Sequence, residues 1–194
     1  MIEAFKFAGL ILGAGLSTRY GSSNKLLKEL DGIPMICRVV QLAKKASLNP
    51  CLVITGHEAD LLNKKLVKEN IKTLHNKSYR LGMGSSISCG ITALKPLMID
   101  GVVILLGDMP NVDPKSIVSL YNGFNPKLER DICIPVESGK MGNPVLFGRS
   151  HFKALMEVHG DQGGKKVIQS NQNRVSYINT DDKGIHFDYD TLDD

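Results

Sequence analysis

Two cations and a carboxylate stand directly behind apolar runs of this chain, and together they suit the handling of phosphates. The stretch LILGAGLSTRYGSSNKLL (residues 10–27) runs through Leu12 into Gly13-Ala14-Gly15, then presents Ser17, Thr18, Arg19 and Lys25. Glycines let backbone N–H groups approach an anion closely. An arginine fork and a lysine point charge could then contact phosphate oxygens. Two well-known phosphate loops do not fit. A dinucleotide fingerprint needs a third glycine where Thr18 stands, and a P-loop needs Gly-Lys-Ser/Thr, whereas Lys25 lies between Asn24 and Leu26. By itself the stretch reads equally well as a strand-to-loop turn with solvated charges. Further on, GVVILLGDMPNV places Asp108 just past another apolar run. Mg²⁺ prefers one or two carboxylates with phosphate oxygens and waters. Alone, Asp108 reads as a turn aspartate before Pro110; beside a phosphate loop it reads as a metal ligand.

These residues need a frame, and the chain supplies one by alternation. Strand patterns fall at residues 7–12, 51–55, 71–75, 101–106, 131–136, 144–148, 174–178 and 184–189. Helical patterns fall at 34–46, with Pro34 in the first turn, at 58–69, at 85–95 with a serine cap, and at 114–124, 150–158 and 163–170. The alternation predicts a Rossmann-like α/β fold: a mixed, mainly parallel sheet with helices on both faces in three α/β/α layers. One domain over residues 1–194 is expected, with no internal repeat and no long linker. Ligands of such folds sit beyond the carboxyl ends of the strands, which is where Gly15, Thr55, Gly56 and Asp108 fall.

Composition narrows the partners. The 194 residues are 42% hydrophobic and carry a net charge of +4. That charge is too mild and too evenly spread to argue for nucleic acid, yet suits a small anionic substrate. No apolar run reaches the length of a membrane span, and the first residues lack a cleavable signal pattern. Cys37, Cys51, Cys89 and Cys133 are scattered without a C-x-x-C pair, so a reducing, cytoplasmic setting is expected.

The glycine loop resembles the signature of the molybdenum cofactor nucleotidyltransferases and the related sugar and isoprenoid nucleotidyltransferases, L-A-A-G-x-S-x-R-M-G followed by K-x-L. Here it reads Leu12-Gly13-Ala14-Gly15-Leu16-Ser17-Thr18-Arg19-Tyr20-Gly21, then Lys25-Leu26-Leu27. By resemblance the loop wraps a nucleotide triphosphate and the sheet is of the nucleotide-diphospho-sugar transferase type. The family's L-x-D-M-P coincides with Asp108, its metal-holding aspartate. The ending FDYDTLDD resembles D-I-D-T-P-E-D-L, which assigns Asp190 to the same metal. HNKSYRLGMGSSISCGI resembles the family's base-reading stretch, implicating Ser85 or Ser86 alongside Thr55 and Gly56. KMGNPVLFGR and HGDQGGKKVI resemble its acceptor segments, implicating Gly142, Asn143, Pro144, Asp161 and Gly163; Lys165 stands where the family has arginine.

The resemblance implies Mg²⁺-dependent transfer of CMP from CTP to molybdopterin with release of pyrophosphate, Arg19, Lys25 and Asp108 being catalytic. Ala14-Gly15 resembles the cytidylyl branch, whereas the guanylyl branch has Gly-Gly. A molybdoenzyme or its chaperone would receive the product. GTP as nucleotide and methylerythritol phosphate as acceptor are the nearest alternatives. More distant are a serine hydrolase, since Ser86, Asp108 and His159 occur in that chain order, and a non-catalytic cofactor-maturation protein.

Overall fold

The computed structural model describes residues 5–16 and 24–189. Ser17, Arg19 and Asp190 lie outside the described residues. Ten strands follow one another: β1 (Phe7–Gly13), β2 (Glu29–Leu30), β3 (Ile33–Pro34), β4 (Cys51–Thr55), β5 (Lys72–His75), β6 (Gly101–Leu106), β7 (Ile132–Glu137), β8 (Lys140–Met141), β9 (Val145–Gly148) and β10 (Val175–Asn179). The helices are α1 (Met35–Lys45), α2 (Ala59–Leu66), α3 (Met83–Leu94), α4 (Pro114–Gly123), α5 (Phe152–Met156) and α6 (Lys165–Gln169).

The main sheet runs β10-β7-β9-β6-β1-β4-β5, with β8 paired to β7. β5, β4, β1 and β6 are mutually parallel, β10 is parallel to β7, and β9 runs antiparallel between β6 and β7. Alternation along the strands divides the core in two. From β1 and β6, Ile11, Val103 and Leu105 pack under Met35, Ile36 and Val39 of α1, Leu62 and Leu66 of α2 and Ile117 of α4. Their neighbours Leu10, Val102 and Ile104 pack under Ile87 and Ile91 of α3, Phe152 of α5 and Val167 of α6. A strand turns successive side chains to opposite faces, so these continuous apolar runs feed both helical layers.

From β1 the chain proceeds to β4 and β5 on one side, then returns to β6 on the other. β1 and β6 therefore flank the topological switch point, whose carboxyl edge is the ligand crevice of open α/β sheets. Gly107 sets the turn there. Its N–H bonds the Leu12 carbonyl at 3.0 Å, and a Cβ on it would lie 2.7 Å from that oxygen, so only glycine lets Asp108 turn back over β1.

Three local expectations are corrected. Residues 184–189 form no strand: Lys183–His186 is a 3₁₀ turn, because the Asp182 carboxylate captures the Gly184 N–H at 2.9 Å. The helix expected at residue 85 with a serine cap begins at Met83 on an uncapped Gly82, and Ser85 lies within it. Residues 150–158 divide into a 3₁₀ turn, Arg149–His151, and the short α5.

Candidate functional site

A cleft of about 600 Å³ opens at the switch point. One wall is built from the end of β1 and the loop beyond it, with Leu12, Ala14, Gly15, Leu16, Lys25 and Leu26, joined by Leu106 and Asp108 from the end of β6. The other wall is the segment Tyr79–Met83 with Ser86 of α3 and Asp161. Of the residues singled out in the sequence, Leu12, Ala14, Gly15, Lys25, Ser86, Asp108 and Asp161 are brought together here.

Lys25 and Asp108 meet at the centre of the first wall. Lys25 Nζ lies 2.7 Å from Asp108 Oδ2, with side chains 15% and 19% exposed. Asn24 positions the lysine: its side chain accepts the Leu26 N–H at 3.1 Å and starts the 3₁₀ turn Lys25–Leu27. Asp108 is held from behind by the C-terminal segment. The Tyr189 N–H bonds the Asp108 carbonyl at 3.2 Å, and the Tyr189 hydroxyl accepts from Asn111 at 3.2 Å. Tyr189 is the last described residue, and Asp190 follows it in sequence.

The second wall is organised by Asn76, which is buried. Its N–H bonds the Thr55 carbonyl at 2.8 Å and its Oδ1 accepts the Ser78 N–H at 2.9 Å. Its Nδ2 donates to Ser85 Oγ at 2.9 Å and Ser86 Oγ at 3.1 Å. Tyr79 and the Ala14 methyl both close on Gly56, and the Arg80 guanidinium stacks 5.3 Å from the Tyr79 ring centroid. Gly82 takes φ 92° where the chain enters α3; a side chain there would strike Asp161 Oδ1 and Gly160, so glycine is required both for the turn and for the contact. Asp161 in turn accepts the Met83 N–H at 3.4 Å.

The other described residues singled out in the sequence do not line the cleft. Gly13 faces Ile54 and Ile36. Thr55 is fully buried, its hydroxyl without a hydrogen-bond partner among the described residues. Gly56 lies beneath Tyr79, Ser85 is turned toward the Gly82 and Ser78 carbonyls, and Gly163 packs on Met83. Gly142 is pressed against Ile185, and Asn143 and Pro144 border a separate small cavity with Leu105, Met109 and Val112. Sequence reasoning singled out the stretch that carries Asn76, Tyr79, Arg80 and Met83 but gave roles in it only to Ser85 and Ser86. Their signal was present in their place just after β5, at the carboxyl edge of the sheet.

No relay joins Ser86, Asp108 and His159 among the described residues. Ser86 is engaged by Asn76, Asp108 by Lys25, and His159 backs onto Gly84. The four cysteines are unpaired, and burial pushes Cys51 up to about 11 and Cys133 up to about 12, far from thiolate nucleophiles. No described helix is long and apolar enough to cross a membrane.

A metal would find Asp108 as donor. The carboxylate already accepts a cation, the Lys25 ammonium, and opens into the cleft. Among the described residues no group of three His, Cys, Asp or Glu side chains could hold a metal. A single carboxylate facing a cleft is the kind of ligand a divalent cation such as Mg²⁺ takes together with substrate phosphates.

Comparison with known proteins gives this cleft a context. The profile of the family described as "MobA-like NTP transferase domain" matches residues 9–175. The "Bifunctional protein GlmU" of Clostridioides difficile is 29% identical over 144 residues, covering 74% of this chain and 30% of that protein. The chain thus spans about a third of the length of such curated relatives. The crystal structure of Rv0371c from Mycobacterium tuberculosis H37Rv superposes with a TM-score of 0.84 at 24% identity, covering 98% of this chain and 96% of that one. A complex of the same protein with manganese gives 0.75 at 21%, covering 90% and 88%. The structure of CMP:2-keto-3-deoxy-manno-octonic acid synthetase complexed with CTP gives 0.70 at 14%, covering 96% and 93%. The fold is that of the nucleotide-diphospho-sugar transferases.

Proposed function

The chain belongs to the MobA-like NTP transferase domain family, and from that premise we propose that this nucleotidyltransferase moves CMP from CTP to the molybdopterin form of the molybdenum cofactor. The observation that carries the reading is the Lys25–Asp108 pair at the switch point, 2.7 Å apart on the wall of a cleft of about 600 Å³. A cation and a metal-type carboxylate side by side suit a triphosphate.

A phosphate oxygen of the acceptor attacks the α-phosphorus of CTP; the bond from that phosphorus to the bridging oxygen of the β-phosphate breaks, and pyrophosphate leaves with the electron pair. The acceptor is its own nucleophile, so positioning and charge neutralisation suffice. Lys25 neutralises charge gathering on the pyrophosphate, and Arg19 joins it on the strength of the sequence resemblance. Asp108, with Asp190, would hold Mg²⁺, which when bound neutralises phosphate charge. The tie from Tyr189 to Asp108 supports pairing these two aspartates. The manganese complex of Rv0371c and the CTP complex of the octonic acid synthetase support a divalent metal and an NTP. Ser86, which lines the cleft and is held by Asn76, is assigned to reading the base by the same resemblance. Asp161 lines the cleft, and it is assigned with Gly142, Asn143, Pro144 and Gly163 to the acceptor on the strength of the sequence resemblance. The unpaired cysteines suit a cytoplasmic setting, and a molybdoenzyme or its chaperone would take the product.

The test is pyrophosphate release with Mg²⁺, each NTP in turn, and molybdopterin or methylerythritol phosphate. Release dependent on CTP and molybdopterin is expected. Release only with GTP or only with methylerythritol phosphate would replace that nucleotide or acceptor. No release with any pair would overturn the reading.

A further inference from the structure

The contact between Lys25 and Asp108 bears on how the cleft is loaded. We propose that Lys25 guards Asp108 against free divalent cations, so that metal enters only together with a triphosphate. The inference rests on Asp108 being the metal carboxylate.

The ammonium sits 2.7 Å from Asp108 Oδ2, and both groups are largely shielded from water. A divalent cation on that oxygen would have to share contact distance with a like charge. Such repulsion is many times thermal energy even at the effective dielectric of a protein surface. Free metal must therefore displace Lys25, and it brings none of the phosphate oxygens that would receive the ammonium and that Mg²⁺ prefers as ligands. A triphosphate resolves both difficulties. Its oxygens give the ammonium a new partner and supply the ligands Mg²⁺ prefers. Lys25 thus opposes the metal in the empty cleft and supports it in the loaded one. Because coupling is reciprocal, metal and nucleotide raise one another's affinity by the same factor.

Mn²⁺ binding followed by electron paramagnetic resonance, without acceptor and hence without turnover, reads this directly. Lys25→Met should bind Mn²⁺ alone about tenfold more tightly than the unaltered protein, and Mn²⁺ in the presence of CTP about tenfold more weakly. Lys25→Arg, which keeps the charge, should match the unaltered protein for Mn²⁺ alone. Lys25→Gln provides the same reading if the methionine variant folds poorly. An uncharged variant that binds free Mn²⁺ no more tightly than the unaltered protein overturns the guarding role. Asp108→Asn separates the two levels. If it binds Mn²⁺ with CTP as tightly as before, the metal assignment itself is wrong; if it loses that binding while Lys25→Met gains nothing, only the guarding role fails.

Discussion

Two aspartates of this protein face cations at opposite edges of one sheet, and they are built differently. Asp108 follows β6 at the carboxyl edge, meets Lys25, and opens to a cleft. Asp131 precedes β7 at the amino edge, with a side chain only 2% exposed. Its two oxygens take a bidentate pair from Arg174, Nε to Oδ1 and Nη2 to Oδ2, both at 2.8 Å. His151 Nε2 adds a bond to Oδ1 at 2.9 Å, and Ser150 one to Oδ2. Burial alone would push the Asp131 carboxyl up, yet the hydrogen bonds from Arg174, Ser150 and His151 together hold it well below the usual carboxylate range. The lesson is one of satisfaction. Asp131 has every lone pair spoken for and ties β7 and β10 to the segment after β9, so it is structural. Asp108 keeps an open face toward a cavity, so it is free to exchange partners.

The comparison predicts opposite phenotypes, and the largest effect should be on stability. Asp131→Ala removes the bidentate partner of Arg174 and the acceptor of the His151 and Ser150 bonds, and should cost about 3 kcal/mol, moderated because Arg174 reaches solvent and keeps Glu129. Urea unfolding measures it, and kcat per folded molecule should stay within about twofold. A carboxyl whose folded pKa is depressed contributes stability that is present above its unfolded value, 3.8, and lost as pH falls through the folded value. The unaltered protein should therefore lose stability below about pH 4 more steeply than Asp131→Asn does. A loss of turnover without a loss of stability in Asp131→Ala would erase the distinction between the two edges.

Asp108→Asn should do the reverse. Folding stability should change by less than about 1 kcal/mol, because the position is a polar turn at the cleft and asparagine keeps the size and hydrogen-bonding capacity of the side chain. Mg²⁺-dependent pyrophosphate release should fall at least about 10²-fold, the effect of deleting one preorganised electrostatic group. Lys25→Ala and Arg19→Ala should each lower kcat/KM with CTP by about tenfold or more through the loss of a phosphate contact. Near-normal turnover in Asp108→Asn, or in both cation variants, would show that the open edge is no more functional than the closed one.

Much of this contrast is written in the sequence, and the hidden part has identifiable causes. Strands expected at 7–12 and 101–106 appear as Phe7–Gly13 and Gly101–Leu106, because they are central and apolar on both faces. Position alone left Lys25 open as a solvated charge and Asp108 as a turn residue; the resemblance of their segments to the family's signatures singled them out. Residues 184–189 misled because Ile185, Phe187 and Tyr189 alternate like a strand, whereas a side-chain bond from Asp182 decides the backbone. Asn76 and the Tyr79–Leu81 turn carry no periodicity at all; a hub of side-chain hydrogen bonds holds them, and such bonds join residues that only folding brings together. The Asp131 network escaped for the same reason, its members lying at residues 131, 150, 151 and 174.

The smallest predicted effect concerns a single methyl group and tests whether the open edge is also shaped for one nucleotide. Ala14 lies just after β1, is 5% exposed, and lines the cleft. Its Cβ is directed at Gly56, in the layer that carries the Tyr79 ring; a Cβ built on Gly56 would come within 2.8 Å of it. The methyl therefore fills the floor between the first wall and Tyr79, leaving less depth there than glycine would. A pyrimidine tolerates a shallow floor better than a purine that must sit deeper. CTP should be preferred over GTP by at least about tenfold in kcat/KM, which requires only about 1.4 kcal/mol of differential transition-state binding. Ala14→Gly should shrink that preference by admitting GTP more than by harming CTP, because the change removes bulk and no hydrogen bond. The measurement is kcat/KM for both nucleotides with molybdopterin as acceptor, in both proteins. Equal values in the unaltered protein, or a preference for GTP, would refute the cytidylyl assignment and leave Lys25 and Asp108 in their places; an undiminished preference in Ala14→Gly would move base selection off the floor and onto the Asn76–Ser86 wall.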